Sequence, residues 1–345
     1  MNRRRNLLAF LALGISLPAN VALAGEDPLF DFKQVGDGVY AAIARPAFRT
    51  NCNSAIVILD DSVLVVDTQS KPSAAKAVIA EIKWLTDKPV KYLVLTHFHN
   101  DHTQGVEAYV QTWPRVQIIA TPATRDSIEQ RTKARLEREA VTLPKQIEKL
   151  KSDLAQADDA VKVPIQKQLT EAEAYLAESK QIHLVAPNLL VDDHLELHRG
   201  SETVKMFSFH QAHTDGDLVV YLPTQKVLIS GDIIHGIQPI TKDGSLVEWI
   251  AAIDQLEKLD FQTVIGGHGD VLHDRTHFDL WKLYFNDLLH ETAQSLASGE
   301  SLDAARKRLA PVFLQKYGDQ FPKRFSDSVK DDIDKAYRTV SGATE

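Results

Sequence analysis

Residues 96–106 read THFHNDHTQGV. His97, His99, Asp101 and His102 fall within six positions, directly after the apolar run VKYLVLTH at 90–97. Residues two apart in an extended segment point to the same side, so His97 and His99 can act together. Imidazole nitrogens and carboxylate oxygens bind zinc at about 2 Å, and catalytic zinc sites keep one position open. So short a loop cannot comfortably wrap all four groups around one ion. Two neighbouring ions sharing them is the simpler geometry. Three later segments repeat the placement: QAHTDGD carries His213, LISGD ends on Asp232, and VIGGHG ends on His268. In each, an apolar run gives way to a loop containing Gly or Asp. Loops at one edge of a sheet are where a rigid scaffold holds reactive groups. The other eight histidines mostly lack this placement and read as surface or packing residues, with His210 and His235 as partial exceptions.

The positioning elements are short β runs. VYAAIA (39–44), SAIVIL (54–59) and VLVVD (63–67) are dense in Val and Ile, with Asp60-Asp61 as a turn. SAAKAVIAEIKWLTD has helical spacing, with Ala75, Val78, Ile79 and Ile82 on one face. VEAYVQTW reads as a short helix before the strand VQIIA (116–120). Strands return at TVKMFSFH (203–210), DLVVYLP (217–223) and KVLISGD (226–232), the last two joined by a turn at 223–226. LVEWIAAIDQLEKL (246–259) is an amphipathic helix, and TVIGGHG (263–269) a buried strand entering a glycine-rich loop. Helices then run from about 276 to 341. Trp113, Trp249 and Trp281 read as core residues.

Residues 124–183 break the pattern, being highly charged with almost no strand signal. Leu143, Ile147, Leu150, Leu154, Ala157 and Val161 step by four and three, as do Ile165, Leu169, Ala172 and Leu176. Pro164 lies between the two sets, where it would open the second helix. The expectation is an inserted helical hairpin, serving as a solvated arm, a cover for the site or a homodimer contact.

The first 24 residues read as a signal peptide. Arg3, Arg4 and Arg5 precede a short apolar run, and Ala22-Leu23-Ala24 fits cleavage before Gly25. Pro18 and Asn20 interrupt that run, which falls short of the roughly 20 residues of a membrane span. The expected mature chain, 25–345, is therefore a single periplasmic domain with no stable membrane insertion. Removing the leader takes the formal charge from −8 to −11. Such a chain is a poor candidate for binding nucleic acid. Cys52 is the only cysteine, so no intrachain disulfide forms, and it reads as a small buried side chain.

Taken in order, THFHNDH, HTDGD, SGD and GGHG resemble the metallo-β-lactamase superfamily over residues of about 35–280, the helical insertion aside. That resemblance implies a four-layered αββα sandwich with the metals at one end of its two sheets. It implies that His97, His99 and His213 hold a first Zn2+, that Asp101, His102 and His268 hold a second, and that Asp232 bridges them, two zinc ions per chain. Asp67, ending VLVVD, matches the acidic residue that orients the histidine loop, fixing imidazole tautomers. The interval from His102 to His213 is longer than usual for the family, and the insertion accounts for most of it.

The implied chemistry is metal-assisted hydrolysis. Paired cations lower the pKa of a shared water toward neutrality. The resulting bridging hydroxide would attack an ester, thioester, lactone or β-lactam-like amide. Asp101 would hold that nucleophile and shuttle its proton. No serine or cysteine nucleophile is required. Asp232 departs from both true β-lactamase patterns, which counts against a dedicated antibiotic-degrading enzyme and leaves a weak, broad-spectrum β-lactamase activity as an alternative. A second alternative is a mononuclear iron persulfide dioxygenase, and a third is a metal-stabilised binding protein without catalysis. Flavodiiron electron transfer is disfavoured, because His99 stands where that branch carries Glu.

Overall fold

The computed structural model describes residues 28–342, apart from 47, 48, 50 and 322–324. The segment read as a signal peptide lies outside them. Among the described residues, no helix is long and apolar enough to cross a membrane.

Two sheets face each other. The first has seven strands in chain order: β1 (Phe30–Gly36), β2 (Val39–Ala44), β3 (Ser54–Ile58), β4 (Val63–Val66), β5 (Val90–Val94), β6 (Gln117–Ala120) and β7 (Leu189–Leu190). It is antiparallel from β1 to β4 and parallel from β4 to β7. The second runs β12-β11-β10-β9-β8, built from β8 (His194–Arg199), β9 (Glu202–Phe209), β10 (Asp217–Leu222), β11 (Val227–Gly231) and β12 (Thr263–Gly266). Only its β11–β12 pair is parallel. Strands buried on both faces become continuous apolar runs, which is why VLVV, DLVVYL and VLISG are so uniform.

Three cores follow from this layering. Val57, Leu64, Val94, Met206, Val220 and Ile229 interleave between the sheets. On the outer face of the first sheet lie α1 (Pro72–Leu85), the four-residue α2 (Asn100–Thr103) and α3 (Val106–Thr112). Helix α1 buries Ala74, Ala75, Val78, Ile79 and Ile82 there. Each fully buried Val or Ile of that face contributes about 1.5–3 kcal/mol. Outside the second sheet pack α7 (Leu246–Leu256), α8 (Thr276–Ala297), α9 (Leu302–Tyr317) and α10 (Phe325–Ser341), which share one large aromatic core with β10 and β11. The arrangement is an α/β sandwich, four layers deep. Trp249 and Trp281 are fully buried in it, whereas Trp113 is only half-buried beside α3.

Between β6 and β7 the chain is helical. Helix α4 (Pro122–Ser127) runs through a π turn at Ile128–Thr132 into α5 (Lys133–Gln156), and α6 (Asp159–Ser179) returns. Leu143, Ile147, Leu169, Ala172 and Tyr175 form a small core belonging to this arm alone. Its sequence reading needs two corrections. Helix α6 begins at Asp159, so Pro164 lies inside it. Pro164 is the sixth residue of that helix, past the four N-terminal N–H groups that lack partners, so it forgoes one intrahelical bond, to the carbonyl of residue 160. Val161 accordingly belongs to the second helix, and is 49% exposed rather than packed.

Candidate metal centre

At one end of the facing sheets, strand ends of the two come together. Strand β5 leads through Leu95 and Thr96 into the histidine loop, and the Thr96 carbonyl accepts from Leu218 N of β10 at 2.7 Å. Glycines allow the close approach. Gly231, at φ +54°, faces Thr96 so closely that an added Cβ would lie 2.7 Å from the threonine Cβ. At Gly267 an added Cβ would sit 2.0 Å from Asp232 Oδ1. The end of β4 contributes the floor. Asp67 and Gln69 hold left-handed backbone, φ 65° and 82°, uncommon for non-glycine residues and concentrated here. Thr68 donates from both N and Oγ1 to the His102 carbonyl, at 2.9 and 2.8 Å.

All eight sequence-derived residues converge on this floor. His97, His99, His213 and Asp232 present ligand atoms to one point. His99 Nδ1 is 3.1 Å from His97 Nε2 and 3.1 Å from His213 Nε2. Asp232 Oδ2 is 3.9 Å from His97 Nε2 and 3.6 Å from His213 Nε2. Atoms bound tetrahedrally to one zinc at about 2.0–2.1 Å stand about 3.3 Å apart, so the quartet suits such an ion. Asp101, His102 and His268 form a second group. There Asp101 Oδ2 lies 3.6 Å from His102 Nε2 and 3.2 Å from His268 Nε2. Asp232 reaches this group too, with Oδ2 3.4 Å from His268 Nε2 and Oδ1 3.6 Å from His102 Nε2. It therefore stands between both. His102 Nε2 and Asp232 Oδ1 are buried and make no hydrogen bond. Buried polar atoms normally have partners, and these two have the chemistry of cation ligands.

Electrostatics divide the two groups. Burial and the neighbouring imidazoles hold His97 well below its usual range. Burial drives His213 down to about 3, against the raising effect of Asp232. Burial also acts to lower His268, yet Asp232 and Asp101 outweigh it and push this imidazole up to about 10. His102 moves the same way, because Cys52, Asp67, Asp232 and Asp101 overcome its burial. His97 and His213 of the first group are thus held as neutral imidazoles beside one carboxylate, and the second group is carboxylate-rich.

Outer contacts orient the rings. Asp67 Oδ2 lies 2.8 Å from His102 Nδ1, and Asp67 is pinned by Thr96 N and Oγ1, both at 2.8 Å. Asp243, which nothing in its own stretch ITKDGSL distinguishes from a turn residue, lies 2.9 Å from His99 Nε2. Arg131 of the π turn donates to the other Asp243 oxygen. Neither residue is legible as a site residue, since only the fold brings 99, 131 and 243 together. Asp217 accepts from Thr214 N and Oγ1, at 2.9 and 2.7 Å, and so shapes the turn after His213.

Cys52, distant in sequence from every ligand, lies against Asp67 and His102. Burial pushes its thiol up to about 12, so it is no thiolate nucleophile at neutral pH. His235 is fully buried, edge-on to Trp281 at 4.7 Å and to His268 at 5.5 Å, which makes it a packing residue behind the site. His210 is exposed.

Residues 47–268 match the family described as the Metallo-beta-lactamase superfamily. A linear primary-alkylsulfatase from a Pseudomonas species is 25% identical over 226 residues, which are 62% of this chain and 41% of that protein. The chain thus spans about two fifths of that relative's length. Among solved structures, a double mutant of the sec-alkyl sulfatase PisA1 superposes with a TM-score of 0.65 at 16% identity, covering 90% of this chain and 50% of that one. A metallo-beta-lactamase from Pontibacter korlensis gives 0.54 at 18% identity, covering 75% of this chain and 99% of that one. These two structural likenesses concern the fold.

Proposed function

This chain belongs to the metallo-beta-lactamase superfamily, and from that premise we propose that it is a binuclear zinc hydrolase cleaving an ester, thioester, lactone or related bond of a small molecule. The observation that carries the reading is Asp232, whose carboxylate lies between two groups of ligand atoms. His97, His99 and His213 would hold one zinc, Asp101, His102 and His268 the other, with Asp232 between them. When bound, such a pair supplies Lewis acidity and makes water nucleophilic at neutral pH.

The chain's own groups supply the rest. Asp101 is one-quarter exposed at the mouth of the centre. Burial favours its neutral form, but His102 and His268 outweigh that and keep it ionised well below the usual carboxylate range. Its carboxylate can therefore accept a hydrogen bond from the attacking water and orient it at the centre. The floor of Asp67, Thr68 and Thr96 keeps the histidine loop from shifting when charge develops. With Cys52 neutral, attack proceeds without a protein nucleophile.

The alkylsulfatase relative supports a second substrate class, sulfate esters, within the same geometry. Export to the periplasm and a homodimer contact through the helical arm complete the reading.

The test is metal analysis with a substrate panel. Zinc-reconstituted protein is expected to hold two zincs per chain and to turn over at least one of a chromogenic ester, a thioester, a lactone, a cephalosporin or an alkyl sulfate. Asp101→Ala should lower turnover by about 10²–10⁴-fold with the fold intact. His268→Ala should lose about one metal per chain. One iron per chain would support the persulfide dioxygenase instead. Wild-type rates in both variants would sink the mechanism.

A further inference from the structure

Helix α4 does not pass smoothly into α5. It widens into a π turn at Ile128–Thr132, where the arm leaves the sheet. Such turns are rare and frequently lie at functional sites. Here the turn delivers two consecutive residues to the histidine loop. Thr132 Oγ1 donates to the Phe98 carbonyl at 2.7 Å, and Thr132 is buried. The Arg131 guanidinium lies over the Phe98 ring, 4.1 Å from its centroid. Phe98 is the residue between His97 and His99, so both its backbone and its ring are clamped from the arm. Arg131 also donates to Asp243 Oδ1, whose other oxygen lies 2.9 Å from His99 Nε2. Asp215, two residues past His213, lies 3.8 Å from the same guanidinium.

An exposed ion pair by itself contributes little. This one differs in three respects. Asp243 is mostly buried, its side chain 19% exposed. The guanidinium lies over an aromatic ring while it donates to the carboxylate, a pairing a flexible ammonium would match less well. The carboxylate it holds touches the far nitrogen of a ring whose Nδ1 faces the ligand quartet. A carboxylate on the far nitrogen fixes tautomer and ring angle.

We propose that Arg131 is a positioning residue of the metal centre, holding Asp243 against His99 Nε2 so that His99 Nδ1 is presented as a ligand, and that the helical arm is thereby built into the centre. The inference rests on the metal-centre reading above. It makes the arm's root part of the site, and leaves the distal part of the hairpin outside it.

The experiment measures zinc binding to the metal-depleted full chain by competition with a chromogenic chelator. The proteins are wild type, Arg131→Ala, Arg131→Lys, Asp243→Asn and, as a control one turn along the arm, Arg135→Ala. Arg131→Ala and Asp243→Asn should weaken one of the two zinc steps by about 10–100-fold. Arg131→Lys should fall between them and wild type, and Arg135→Ala should match wild type. The melting temperature of metal-depleted Arg131→Ala should stay at the wild-type value. If both zinc steps weaken together with a lower metal-free melting temperature, Arg131 is merely structural and the proposal falls. Two wild-type zinc steps that no variant moves overturn this inference alone. A wild-type chain that takes up no zinc overturns the metal-centre reading, and this inference with it.

Discussion

Two helical additions flank the sandwich, and they are attached in opposite ways. The C-terminal helices α8 to α10 share one continuous core with the second sheet, where Trp281, Tyr284, Phe285, Phe313 and Ile333 are buried together. The arm of α5 and α6 has a five-residue core of its own, and its ties to the domain are mainly polar. Ser73 N and Oγ each bind Glu178 at 2.9 Å, Arg49 lies 3.4 Å from Glu139, and Thr132 binds the Phe98 carbonyl. Apolar burial is non-directional and grows with area, so the first addition stabilises the whole domain. Directed hydrogen bonds add little net stability but set orientation. The arm's ties are therefore of a kind that orients the loops beside the candidate metal centre more than it holds the fold together.

The largest effect that sharpens this contrast is expected from Trp281→Ala. It empties a fully buried site beside His235, Trp249 and Phe285. The loss should be about 3–5 kcal/mol, seen as a lower denaturant midpoint for the entire domain. A middling effect is expected from Ile147→Ala, in the arm's own core. Its cost of about 2–5 kcal/mol should fall on the arm alone. Hydrogen exchange across 143–175 should quicken while the domain midpoint stays in place. A midpoint falling as far as that of Trp281→Ala would break the contrast.

The smallest effect concerns Asp332, which links α10 to α8 and to the loop before Asp243. It accepts from Tyr284 OH at 2.7 Å and Thr241 Oγ1 at 2.5 Å. Burial drives its carboxyl up to about 7, against the lowering effect of those two bonds. A group whose folded pKa is raised adds stability in full below its unfolded pKa of about 3.9, and loses it as pH climbs toward the folded value. Wild type should thus lose stability between about pH 4 and pH 7 relative to Asp332→Asn, which is neutral throughout. Melting temperatures of the two proteins at pH 4.5 and pH 8 check this. A difference independent of pH would exclude a raised Asp332 carboxyl.

The contrast also explains what could be read beforehand. The seven candidate ligands sit inside short motifs at the ends of apolar runs, so type, spacing and flanking pattern all mark them. Asp67 is marked the same way by VLVVD. Strands β1 and β8 are not, because neither is an apolar run: β8 alternates exposed and half-buried residues with none fully buried, and β1 buries only Phe30. The start of α6 is misread from Pro164, since a proline near a helix start looks like the start itself. Asp243 and Arg131 carry no local signal, and Cys52, which reads only as a small buried side chain, lies against Asp67 and His102.

Residue type and periodicity alone determined which side chains are candidate ligands and which runs bury, because those follow from local chemistry and from the twofold and 3.6-fold repeats of the backbone. The tertiary structure alone decided which of them share a volume. It set Asp232 between two groups of ligands and brought Arg131 and Asp243 to His99 from positions 32 and 144 residues away along the chain. Such pairings arise from how two sheets and an inserted arm pack, and packing depends on contacts between segments that no local pattern encodes.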